Sequence, residues 1–259
     1  MAGVAPPAPD PLAGFTVGVT ADQRRHEQAE LFERAGAQVL LAPVTAKVAG
    51  APGGQDSRWP LPGDSRPARG LLAAACGRRL DAVTFTSAAA VANLFALAEL
   101  TGRREQLGEA LNDGVVAATI GPGTTATARA LGVGGPVQAA QPTLPGLAQA
   151  VVDAMGGRRH RLRVGPSELV VQGSVVRVDG ERVELSGRER ALLDALCRRT
   201  GAVVPRAVLV QELWAGAATS PHTVDVTVAR LRRRLGTTGG AIRTVARRCY
   251  WLDASVLRS

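Results

Sequence analysis

Apolar positions follow two different rhythms along this chain. Over residues 15–155, short apolar runs alternate with stretches in which apolar residues return every three to four positions. The short runs predict strands near 15–20, 37–42, 81–86, 115–120 and 136–139. The periodic stretches predict helices near 22–35, 66–79, 88–100, 124–131 and 144–155, with a further helical piece near 103–111. Gly36 reads as the stop of the first helix. Residues 44–66 break the alternation with Pro and Gly and read as a linker. Five strands separated by helices predict an α/β unit. Its sheet is expected to be open, parallel and five-stranded, covered on both faces, in a flavodoxin-like order.

After Gly156-Gly157 the rhythm changes. Short strands are predicted near 162–165, 168–172, 175–179 and 182–185, with turns at Gly173 and Asp179-Gly180. Helices near 187–200, 205–215 and 221–235 follow, then a hairpin near 241–252. Ser186-Gly187-Arg188-Glu189 reads as a capping box before an apolar run. Ser220-Pro221 offers an N-cap with Pro at the first helical position. Two domains are therefore expected, 1–156 and 157–259, with Gly156-Gly157 and the basic run Arg158-Arg159-His160-Arg161 as the link.

Charge sharpens this division. Residues 157–259 hold 19 Arg against 9 Asp and Glu, a balance of +10, although the whole chain carries only +9. Residues 1–156 therefore come to −1. Positive charge confined to one segment points to a polyanionic partner, because each cation set on a phosphate releases condensed counterions. On a helical wheel of residues 221–235, Val224, Val228, Leu231 and Leu235 share one face and read as core. Val226, Ala229, Arg230 and Arg233 lie opposite, with Thr223, Thr227 and Arg234 beside them. A valine among arginines suits a thymine methyl in a major groove, with arginine reaching guanine edges or phosphates. A solvated basic face is the alternative.

Cys76, Cys197 and Cys249 are few and far apart, without metal-ligand spacing, so a reducing cytoplasm and no metal are expected. The Pro- and Ala-rich start lacks the layout of a signal peptide. No apolar run approaches the roughly 18 residues of a membrane span.

The segment Gly180-Glu-Arg-Val-Glu-Leu-Ser-Gly-Arg-Glu-Arg-Ala-Leu-Leu-Asp-Ala-Leu, with Val203-Val204-Pro205-Arg206, Trp214, Thr223-Val-Asp-Val-Thr-Val-Ala-Arg-Leu-Arg-Arg-Arg-Leu and Ile242-Arg-Thr-Val before Tyr250, resembles the OmpR/PhoB-type winged helix-turn-helix. The resemblance implies that the third helix reads the major groove of double-stranded DNA and that the closing hairpin, the wing, reaches the minor groove or backbone. It places Thr223, Val226, Thr227, Arg230 and Arg232 at DNA-facing helix positions and Thr244 at a phosphate-contacting wing position. Ala246 stands where the family's wing arginine is usual, and Arg247-Arg248-Cys249 replaces its Gly-x-Gly turn, so Arg247 and Arg248 are expected to supply the wing's charge. Such modules usually follow a phosphoacceptor receiver domain. Here the first strand ends Thr20-Ala21-Asp22, the third ends Thr86-Ser87, and Lys47 lies in the linker, so phosphorelay input is not supported.

Ligands of open α/β sheets sit beyond the carboxyl ends of the strands. Those ends are Thr20, Thr86-Ser87 and Gly121-Pro122-Gly123-Thr124-Thr125. The last enters a helix, where free N–H groups suit an anion, or it is simply a tight turn with Thr as cap. No His, Cys or carboxylate pair stands there, so no catalytic residue is assigned. Gly14-Phe-Thr-Val-Gly-Val-Thr, Leu80-Asp-Ala-Val-Thr-Phe-Thr-Ser-Ala-Ala-Ala-Val, Ile120-Gly-Pro-Gly-Thr-Thr-Ala and Pro142-Thr143 resemble uroporphyrinogen-III synthase. That resemblance implies a cofactor-free cyclisation of hydroxymethylbilane in a cleft between two α/β domains, with Thr86, Ser87, Thr124 and Thr125 lining it. The second domain would be inserted at 44–66, which is far too short to form it, and Ser57 stands where the family usually has a Tyr.

The expected function is transcription regulation, with the synthase-like half a sensor of a tetrapyrrole or its linear precursor or a protein contact, and with Thr20, Thr86, Ser87, Gly123, Thr124 and Thr125 as ligand contacts. The DNA contacts expected are Thr223, Val226, Thr227, Arg230, Arg232, Arg233, Thr244, Arg247 and Arg248, in a homodimer on directly repeated half-sites. The alternatives are a synthase with a DNA-binding appendage and a half that serves only as a dimerisation scaffold.

Overall fold

Residues 10–45, 65–214, 221–245 and 249–257 are described by the structure, a computed structural model. Contacts divide the chain into two compact units, Pro9–Gly157 and a second that includes Arg158–Ser259.

In the first unit the strands are β1 (Thr16–Val19), β2 (Gln38–Leu41), β3 (Ala82–Phe85), β4 (Val116–Thr119) and β5 (Val137–Gln138). They pair in parallel in the order β2-β1-β3-β4-β5. This is the flavodoxin-like order expected. The central strand β3 is buried along its whole length because helices cover both faces, which is why its sequence shows no polar alternation. The helices are α1 (Arg25–Arg34), α2 (Arg66–Cys76), α3 (Ala88–Leu100), α4 (Arg104–Asn112), α5 (Pro122–Ala130) and α6 (Leu144–Gly156). One core gathers Leu71, Phe85, Leu94 and Leu107; a second gathers Phe15, Phe32, Leu147 and Met155. Gly36 ends the first helix with φ +91°, a conformation that strains any side chain, and a Cβ there would also meet Asp10 at 2.6 Å. Helix α5 starts two residues earlier than its apolar pattern suggested, because Pro122 suits the first helical turn.

In the second unit β6 (Arg159–Val164), β7 (Ser167–Gln172), β8 (Val175–Val178) and β9 (Glu181–Val183) form an antiparallel sheet with the short β13 (Ser255–Val256), in the order β13-β6-β7-β8-β9. The β8–β9 turn takes left-handed backbone at Asp179 and Gly180, φ +50° and +85°. Next come α7 (Gly187–Cys197), β10 (Val203–Pro205), α8 (Arg206–Trp214), α9 (Pro221–Arg234), a 3₁₀ turn, β11 (Ile242–Val245) and β12 (Cys249–Leu252). A small sheet of order β10-β12-β11 closes the unit. One core unites Leu169, Val176, Leu192, Leu196, Leu209, Leu231 and Tyr250. The capping box is present, with the Ser186 N–H donating to Glu189 at 2.7 Å and the Glu189 N–H donating back to the Ser186 hydroxyl at 3.4 Å.

One expectation needs correction. Arg159, His160 and Arg161 are the first residues of β6, paired with Gln172, Val171 and Val170, and not part of a link. Their charge hid the strand, but β7 supplies the ladder, and His160 lies 3.5 Å from Asp194 on α7.

Candidate functional site

Helix α9 is fixed from within. Val224, Val228, Leu231 and the following Leu235 are buried in the core of the second unit. Burying each contributes about 1.5–3 kcal/mol, so the helix cannot roll without losing most of this. The opposite face is thereby set: Ala229, Arg230, Arg233 and Arg234 are exposed, and Thr223 and Val226 are half-buried. None of Arg230, Arg233 and Arg234 forms a close ion pair with a carboxylate among the described residues, although the charges of Arg230 and Arg234 reach Glu189 at the start of α7. Elsewhere in the unit Arg161, Arg182, Arg199, Arg206 and Arg243 each have such a partner.

Two ties join α9 to its neighbours. The Asp225 carboxylate accepts from Arg206 Nη1 of α8 at 2.7 Å and from the Tyr250 hydroxyl of β12. Burial, then the hydrogen bond to Asp225 and its charge, push the Tyr250 pKa up to about 12, so the hydroxyl stays a donor. Further along the helix, Arg232 Nε donates to the Ile242 carbonyl at 2.8 Å and its Nη2 donates to Thr244 Oγ1 at 3.0 Å. Nothing in the sequence pattern assigns a role to Asp225 or Arg206. The one available signal was an acid placed beside the core stripe of a basic helix.

The residues singled out for DNA thus separate. Thr223, Val226, Arg230 and Arg233 lie on or beside the outward face. Thr227 is buried, 8% exposed, and its hydroxyl donates to the Thr223 carbonyl at 2.7 Å, the back-bond a helical threonine commonly makes. Arg232 turns toward β11, where Thr244 is exposed. Arg247 and Arg248 lie outside the described residues.

The strand-end residues of the first unit separate too. Thr20 is fully buried and its hydroxyl donates to the Thr84 carbonyl at 2.7 Å. Thr125 is 2% exposed; its hydroxyl lies 2.6 Å from that of Thr119 and donates to the Gly121 carbonyl at 3.0 Å. Thr124 is buried as well. Ser87 caps α3, accepting from the Ala90 N–H at 3.1 Å. Thr86, Ser87 and Gly123 keep surface exposed. Among the described residues no His, Cys, Asp or Glu side chains group as metal ligands, and no helix is long and apolar enough to cross a membrane.

Comparison with known proteins divides at the same place. Residues 180–252 match the family model described as "Transcriptional regulatory protein, C terminal", and residues 62–149 match "Uroporphyrinogen-III synthase HemD". The chain is 39% identical over 80 residues to "Transcriptional regulatory protein PrrA" of Mycobacterium tuberculosis, a match covering 30% of this chain and 34% of that protein. It is 37% identical over 84 residues to "Sensory transduction protein RegX3" of Mycolicibacterium smegmatis, covering 32% and 37%. The chain thus spans about a third of the length of the curated relatives it matches. Among solved structures, the uroporphyrinogen III synthase of the bacterium Thermus thermophilus aligns with 55% of this chain and 98% of its own, at 18% identity and a TM-score of 0.46.

Proposed function

We propose that this chain, which joins a uroporphyrinogen-III synthase-like segment to an OmpR/PhoB-type DNA-binding domain, is a cytoplasmic transcription regulator that docks α9 in the major groove and its wing against the adjoining minor groove or backbone. The observation that carries this is the exposed face of α9, where Arg230, Arg233 and Arg234 have no carboxylate partner among the described residues while the opposite face is sealed in the core. Unpaired guanidiniums on a fixed helix suit phosphates and guanine edges. Arg230, at the centre of the face, is assigned to a base; Val226 to a thymine methyl; Arg233 and Thr223 to phosphates. Two copies would bind head to tail on directly repeated half-sites. Selection of duplexes from a randomised pool by the full chain tests the reading. Enrichment of a repeated motif supports it, and no enrichment above random sequence at about 150 mM salt rejects it.

The synthase-like half is read as a sensor or contact module for a polycarboxylate tetrapyrrole or its linear precursor. The match over residues 62–149 supports this. A shift in melting temperature on adding uroporphyrin tests it, and no shift at millimolar ligand favours a scaffold. The second reading, turnover of hydroxymethylbilane, draws on the same match. Formation of uroporphyrinogen III by the purified chain would establish it.

A further inference from the structure

We propose that Arg232 is a positioning residue that acts through the wing and not on DNA, holding β11 and the Thr244 hydroxyl at a set offset from α9. The inference rests on the DNA-binding reading above. Arg232 lies two residues from Arg230, about 200° around the helix, so the two side chains leave α9 in nearly opposite directions. Arg230 is exposed; Arg232 is half-buried and bonded to the Ile242 carbonyl at 2.8 Å and the Thr244 hydroxyl oxygen at 3.0 Å. A guanidinium carries five donors in a rigid planar fork and can hold a carbonyl and a hydroxyl together, which a lysine ammonium does poorly.

Two consequences follow from these bonds. A hydroxyl that accepts from Arg232 keeps its own hydrogen, which must point away from the guanidinium. Thr244 is exposed, so that hydrogen is free to meet a phosphate oxygen. The second consequence concerns rotation. Asp225 ties α9 to β12 through Tyr250, and Arg232 ties it to β11 seven residues later. Seven helical residues span about 10 Å. One tie is a pivot; two ties at that spacing fix the angle between helix and wing.

The test uses the full chain and the duplex it enriches from a randomised pool, with variants R232K, R232M, T244V and R232M/T244V. If the brace holds, R232K and R232M each weaken binding about five- to tenfold, while the slope of log affinity against log salt changes by less than about half a unit, since no phosphate contact is lost. T244V costs about threefold alone and adds nothing in the R232M background, the mark of two residues acting as one. Without DNA, the β11 and β12 amides of R232M exchange at least about threefold faster than in the parent chain. The idea is overturned if R232K binds like the parent while R232M flattens the slope by about one unit, because Arg232 is then a phosphate contact. It is overturned equally if exchange in R232M is unchanged. If the parent chain binds no duplex, the DNA reading falls by itself and the exchange measurement still decides the brace.

Discussion

The threonines at the strand ends of the first unit and the arginines on α9 enter the sequence on equal terms, as polar side chains at places where ligands bind. The fold consumes Thr20 and Thr125 and spares Arg230, Arg233 and Arg234, while Thr86 stays half-exposed and Arg232 is drawn to the wing. Thr20 and Thr125 are buried and give their hydroxyl hydrogens to backbone or to another threonine. Arg230, Arg233 and Arg234 are exposed and keep their donors free of carboxylates among the described residues. A polar residue can serve a ligand only with bonding capacity the fold has left over, and that depends on neighbours far away in the chain.

The largest effect expected is on the frame beneath the spared set. Leu231→Ala empties a fully buried site under α9 and should cost about 2–5 kcal/mol of stability, read by denaturant unfolding. Next comes a direct test of the contrast. Thr125→Val removes one of the two partners of the Thr119 hydroxyl, which keeps its 3.3 Å bond to the Val137 carbonyl, and should cost about 1–2 kcal/mol of stability, with uroporphyrin affinity unchanged once the variant is folded. A variant of parental stability with several-fold weaker ligand binding would break the contrast, since Thr125 would then face a ligand. Arg230→Ala should do the reverse: stability holds within about 0.5 kcal/mol. Its DNA binding falls by about 1–3 kcal/mol with relaxed preference at one base pair.

The smallest effect expected is at the cap of α7. Ser186→Ala should cost about 1 kcal/mol of stability. Burial of Glu189 opposes its ionisation, but the Ser186 N–H and hydroxyl, with the charges of Arg234 and Arg230, hold its carboxyl below the usual glutamate range. A lowered pKa in the folded state adds stability that is present above the unfolded value, about 4.3, and is lost as pH falls through the folded value. Glu189→Gln should therefore be less stable at pH 7 and lose less than the parent chain between pH 5 and 3. Parallel stability curves for the two would refute the assignment.

Much of the architecture was legible from periodicity. The five parallel strands, the three helices of the second unit and the core stripe Val224, Val228, Leu231 and Leu235 all follow from apolar spacing and burial. Strand β6 was misjudged at its start because Arg159 and Arg161 carry charge in a ladder set by β7. Strands β10 and β13 went unseen: two or three residues have no period, and they exist only because β12 and β6 offer open edges. The site was less legible than the fold. Helical phase sets Arg230 and Arg232 on different sides of α9, but the Ile242 carbonyl that captures Arg232 is a backbone group with no sequence signature. Nothing local revealed that the partner of Thr20 is a carbonyl 64 residues away.

Asp225, shared by Arg206 and Tyr250, has a further consequence in time rather than in energy. A regulator must test a great many wrong registers before it meets a right one. If helix and wing had to be assembled at each trial, every rejected site would cost a conformational step as well as an encounter. On the proposed DNA-binding reading, three elements are tied to one carboxylate before any DNA arrives, so rejecting a wrong register would need no assembly step.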